Sequence, residues 1–113
     1  MVPRHLTYAE LEPGLPHVAA APRETGVLEM IVRRPRSGER EVLGVGELSV
    51  EAGLVGDRWA LAEQRRHGEQ LTLMGSRAVA LVAATRDRWP LAGDQLYVDF
   101  DLSEAHVPPG TRI

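Results

Sequence analysis

The chain has no cysteine and no lysine. Without a thiol there is no disulfide, no thiolate nucleophile and no cysteine-bound metal, and nothing to infer about redox compartment. Without lysine, all 13 basic residues are arginine. Guanidinium is a rigid planar donor suited to phosphate, sulfate and carboxylate, so the set is compatible with anion recognition. The plainer explanation is a genome whose base composition favours arginine codons. Long apolar runs are missing too: the longest early one, residues 18–21, is far too short for a transmembrane or secretory segment. No membrane partner and a cytoplasmic address are therefore expected. Positive charge is also in short supply. A formal net charge of -3 and a pI near 5.8 argue against nucleic acid as a partner. His5, His17, His67 and His106 are scattered, with no His-x3-His or His-Glu-x-x-His pair, so no metal site is expected.

What remains is ordinary for a globular protein: 113 residues, 43% hydrophobic and 26% charged, enough for one domain. Residues 1–25 form an N-terminal arm rich in proline and alanine. Thr7 and Glu10 fit a capping box, Leu6 and Leu11 its hydrophobic staple, and Pro13 with Gly14 is expected to end the turn and leave an extended arm. Residues 27–32 and 41–50 read as strands, joined through an arginine-rich tip at 33–40 into a hairpin with a long loop. Gly53 and Gly56 mark a turn needing positive φ or close backbone approach, and 60–69 reads as a polar loop. A strand at 70–74 leads to Ser76 as N-cap of a helix over 76–88, with Ala78, Leu81, Val82, Thr85 and Trp89 on one face and Pro90 as its stop. A further strand spans 96–100.

Several residues invite chemistry. Arg58 after the Gly56 turn has the donors to hold an oxyanion, with Asp57 orienting it; the plain alternative is a turn aspartate beside a solvated arginine. Of Arg33 and Arg34, one must point inward, because consecutive strand residues face opposite ways. Arg36 and Arg40 read as loop residues. Thr72 shares a face with Gln70, lining either a polar interior or solvent. His67 is the one histidine near this group. No nucleophile elbow surrounds Ser76, and Gly44 with Gly46 lacks the third glycine and following helix of a dinucleotide loop. No catalytic residue is assigned, and the question of catalysis stays open.

Six blocks in order carry a family resemblance: GVLEMIVRRP at 26–35, GEREV at 38–42, SVEAGLVGDRW at 49–59, QLTLM at 70–74, AGDQLYVDFDLS at 92–103 and PPGTR at 108–112. Together they resemble the small, single-domain MOSC proteins, named for the C-terminal domain of molybdenum cofactor sulfurases. The resemblance implies a mainly β, MOSC-like barrel over residues 26–113, here partial, with one α-helix. It implies a role in the sulfur and molybdenum-cofactor area, with molybdenum cofactor, molybdate or another small anionic ligand at Arg34, Asp57, Arg58, Thr72 and His67. The family's vocabulary also includes pyridoxal phosphate binding and sulfur carriage. Active MOSC domains carry a cysteine in their C-terminal half, which this sequence lacks, so the domain is expected to be truncated and inactive in sulfur transfer. A partial barrel exposes strand edges, so self-association into a homo-oligomer is expected. The competing reading is a non-catalytic anion-binding or self-associating interaction module.

Overall fold

The run of apolar residues after Gly26 forms the central strand of the molecule. A computed structural model describes residues 5–113, and in it β1 (Val27–Arg33) pairs on one side with β2 (Glu41–Leu43) and on the other with β6 (Leu96–Asp99). Both pairings are antiparallel, with Val32 opposite Val42 and Ile31 opposite Leu96. The predicted hairpin is therefore present. Its second strand is shorter than predicted, because Gly44 and Gly46 interrupt the run before β3 (Leu48–Ser49). That strand pairs instead with β4 (Gly53–Leu54) in a separate two-stranded sheet.

β5 (Leu73–Gly75) lies parallel to β6 and completes a mixed sheet of order β2-β1-β6-β5. Parallel neighbours need a crossover, and α3 (Ser76–Val82) with a 3-10 stretch at Arg86–Ala92 supplies it. The helix expected over 76–88 is thus two pieces. Ala84 has φ of 59° and cannot continue a right-handed helix. Gly75, not Ser76, is the N-cap residue of α3; Ser76 is buried at the first helical position with no side-chain cap bond. The face turned to the core is also displaced from the one predicted: Val79 is buried, whereas Val82 is exposed.

Strand alternation sorts the sheet into two faces. Met30, Val32 and Tyr97 pack with Val79 and Trp89 into the core, each side chain removing enough apolar surface from water to contribute about 1.5–3 kcal/mol. The Tyr97 hydroxyl donates to the Trp89 carbonyl at 2.9 Å, so this buried hydroxyl is satisfied. On the opposite face the register aligns Ile31 with Leu43 and Leu96, and Leu28 with Val98. Leu54 covers the Ile31 end, while Leu28 is half exposed.

In a closed barrel that second face would be the interior. Here the outer strands β2 and β5 do not meet and the β3–β4 pair stands apart, so the sheet is open. Helical turns take a larger share of the described residues than strands do, with three short α-helices where one was expected. Among the helical turns are α1 (Tyr8–Leu11) and α2 (Leu15–Ala19) in the arm. The Thr7–Glu10 capping box forms as predicted, but Pro13 does not end the helical path: it sits in the first turn of a 3-10 segment, where its missing N–H has no partner to lose. No described helix is long and apolar enough to cross a membrane.

Candidate functional site

The end of β1 and the turn after β4 meet over one buried carboxylate. Gly53 (φ 68°) and Gly56 (φ 88°) let the chain reverse here, and a Cβ at Gly53 would strike the Gln70 carbonyl. The turn delivers Asp57, only 2% exposed, beneath Arg34. Asp57 Oδ1 accepts from the Arg34 backbone N–H at 2.8 Å and from Nε at 3.0 Å. Oδ2 accepts from Arg34 Nη2 at 2.8 Å, the Trp59 N–H at 3.2 Å and Gln95 Nε2 at 3.1 Å. The Arg58 N–H in turn donates to the Arg34 carbonyl at 2.7 Å. Arg34 is the inward member of the arginine pair, as alternation requires. Arg33 turns aside to Glu41 at 2.9 Å and packs against Gly56.

Burial pushes the Asp57 carboxyl upward, but the Arg34 guanidinium and the two backbone N–H donors outweigh it and hold the group below the usual carboxylate range. The same hydrogen bonds raise Arg34 above its ordinary value against the effect of burial. The pair is ionised and neutral as a unit.

Gln95 extends this network and carried no sequence signal, a lone amide at the start of an apolar strand. It is fully buried. Its Oε1 accepts from the Thr72 N–H at 2.8 Å and from Thr72 Oγ1 at 3.1 Å, while Nε2 faces Asp57 and the Gln70 carbonyl. Because Asp57 only accepts and the Thr72 N–H only donates, the amide has one orientation. The strand expected over 70–74 is only β5 (Leu73–Gly75), and the face expected to be shared by Gln70 and Thr72 is not formed: the Gln70 side chain donates to the Val50 carbonyl, so Gln95 meets Thr72 and only the backbone of Gln70.

Arg34, Arg58, Thr72, Trp59 and Glu69 line an open cavity of about 310 Å³ above this floor. Arg58 is exposed, and its guanidinium has no hydrogen-bond or ion-pair partner among the described residues. The stretch read as a plain polar loop is wound into 3-10 turns at Arg58–Leu61 and His67–Glu69 around the buried Trp59. The indole Nε1 donates to the Arg66 carbonyl at 2.9 Å, Arg65 lies over the ring and His67 meets it edge-on at 6.0 Å. Of the five predicted residues, Arg34, Arg58 and Thr72 face the cavity. Asp57 lies under them, and His67 braces Trp59 from outside the lining. Arg36 is largely exposed beside Glu39, whereas Arg40 reaches the Pro90 carbonyl at 3.2 Å.

Ser76, His17 and Asp99 share another cavity, of about 360 Å³, with the composition of a nucleophilic triad. Arg77 takes both Asp99 Oδ1, at 2.8 Å, and the His17 carbonyl, at 3.0 Å. No serine–histidine or histidine–aspartate bond is made there, so the trio lacks triad geometry. No cluster of three or more His, Asp or Glu side chains among the described residues is placed to hold a metal. No family model, curated protein or solved structure matches the chain.

Proposed function

We propose that the chain is a MOSC-like domain of the sulfur and molybdenum-cofactor area that holds a small anionic group at Arg58, above the Arg34–Asp57 floor. The observation that carries this reading is the contrast between two adjacent guanidiniums. Arg34 is neutralised and fixed by Asp57, whereas Arg58 is unpaired at the rim of the same cavity. A fixed donor beside a free cation is what an anion site needs, since guanidinium hydrogen bonds to an anion are charge-assisted.

Ligand chemistry narrows the choice. Bare molybdate presents acceptor oxygens in every direction, and the Glu69 carboxylate in the lining disfavours it; an anionic group on a larger molecule, such as the phosphate of the molybdenum cofactor, fits the Arg58 side better. Pyridoxal phosphate does not fit as a covalent cofactor, because there is no lysine amine to hold it. Sulfur carriage as a persulfide needs a thiolate, and none of these 113 residues supplies one. This reading keeps the cytoplasm as compartment and assigns no catalytic residue. Its test is a sulfate titration followed at the Trp59 indole N–H resonance. Arg58→Ala is expected to weaken binding about tenfold or more, while Arg36→Ala leaves it unchanged. Equal losses in both variants would reduce the site to diffuse surface charge.

A second reading, a self-associating module, is favoured by one observation: Leu28, Leu48 and Val50 are 50%, 56% and 88% exposed beside an open sheet. Sedimentation at micromolar concentration is expected to show a dimer or larger. A stable monomer would remove this reading and leave the anion site intact.

A further inference from the structure

The cavity wall carries acceptors as well as donors, and their assignment follows from the hydrogen bonds beneath it. Arg34 has five N–H groups; Nε and Nη2 donate to Asp57 and Nη1 to the Gly93 carbonyl at 3.1 Å, which leaves two. Arg58 keeps all five of its own. On the acceptor side, Thr72 has one hydroxyl hydrogen and gives it to Gln95 Oε1, so Oγ1 presents only lone pairs. Glu69 adds a carboxylate held only by Arg66, at 3.4 Å and with both side chains mostly exposed. Such a pair is worth little, because solvent screens it and two flexible chains must be ordered to keep it. Glu69 is therefore free to exchange that partner for a ligand.

A bare oxyanion uses the donors and wastes or opposes both acceptors. A ligand bearing an anionic group and, a few bonds away, an ammonium satisfies the two sets together. Trp59 and Ala62 supply an apolar wall for the carbon atoms between them. We infer that the site selects small zwitterions of the amino-acid class, with the carboxylate on Arg58 and the residual Arg34 donors and the ammonium on Glu69 and Thr72 Oγ1. This rests on the anion site at Arg58 proposed above and gives that site a ligand class other than the cofactor phosphate.

The test compares β-alanine with propionate, which share chain length and carboxylate and differ in the ammonium, with sulfate as a third probe. All three are titrated at the Trp59 indole N–H resonance of the full chain. β-Alanine is expected to bind about tenfold more tightly than propionate, as a charge-assisted hydrogen bond allows. Glu69→Gln is expected to bring the ratio close to one, weakening β-alanine and, with a carboxylate removed from the lining, not weakening propionate, and Arg58→Gln to weaken both. Both substitutions lie on exposed side chains outside the core, so folding is retained. Equal affinities for β-alanine and propionate in the wild type, with sulfate still bound at Arg58, would overturn the zwitterion inference and leave the anion site standing. Failure of all three probes to shift the resonance would overturn both.

Discussion

Two arginine–aspartate pairs sit at opposite ends of the sheet, each closed at 2.8 Å, and they do different things. In Arg34–Asp57 the carboxylate side chain is wholly buried and takes five hydrogen bonds from three segments. In Arg77–Asp99 both side chains are about one-quarter exposed, and the pair ties α3 to β6 and, through the His17 carbonyl, to the arm. Distance alone does not separate them; surroundings do. Water competes for the second pair and screens it, whereas the first is a structural joint whose breaking strands a charge in the interior. The candidate site is built on the joint, so its floor is rigid and its one adjustable cation is Arg58.

Removing one partner of each pair is the sharpest way to break this contrast. Asp57→Ala is expected to cost about 3–5 kcal/mol, because Arg34 is left buried and the Trp59 and Gln95 donors lose their acceptor. Denaturant unfolding measures it, and a cost under about 1 kcal/mol would make the two pairs equivalent. Gly53→Ala comes next, at about 1–3 kcal/mol, since the positive φ and the approach of the Gln70 carbonyl both resist a methyl group. Its melting temperature, read beside that of Gly38→Ala in open space, separates crowding from φ strain.

Acid is the third probe. Asp57 is held below its unfolded value, so its contribution is fully present above about pH 4 and is lost as pH falls through the folded value. Asp57→Asn is expected to flatten the fall in stability below that point. The Ser103 hydroxyl and N–H lower Asp101 as well, but its ion pair is with Arg23, a largely exposed side chain 3.5 Å away, so it contributes a smaller, salt-sensitive share. An unchanged acid profile in Asp57→Asn would move the acid-labile joint elsewhere. The smallest effect is Asp99→Ala, expected to cost about 1 kcal/mol or less and to diminish with salt, measured by the same unfolding.

The local parts of this arrangement were legible in the sequence. The capping box at Thr7, the hairpin of β1 and β2, the positive-φ glycines and the inward turn of one arginine at 33–34 are settled by neighbours a few residues away. Gln95 was not legible, because its partners Asp57 and Thr72 are 38 and 23 residues distant and no spacing rule links them. The break at Ala84 was hidden by good helical periodicity on both sides of it, and Trp89 reaches the core from a 3-10 stretch rather than from the predicted helix. Open edges were expected of a partial barrel, but the pairing of β3 with β4 apart from the main sheet escaped: strand pattern shows which residues alternate, while pairing depends on which edges meet. The cavity that Glu69, Thr72 and Arg58 line together emerges only when the 3-10 turns have wound around Trp59.

The charge of Arg34 is committed to the fold, while Arg58 at the rim of the same cavity keeps its guanidinium donors free. Arginine Nε–H resonances report this directly. Arg34 Nε–H is expected to be protected from exchange with water and barely to move when sulfate is added, whereas Arg58 Nε–H is expected to exchange rapidly in the free protein and to become protected on binding. Equal exchange for the two groups, or a sulfate response confined to Arg34, would contradict it.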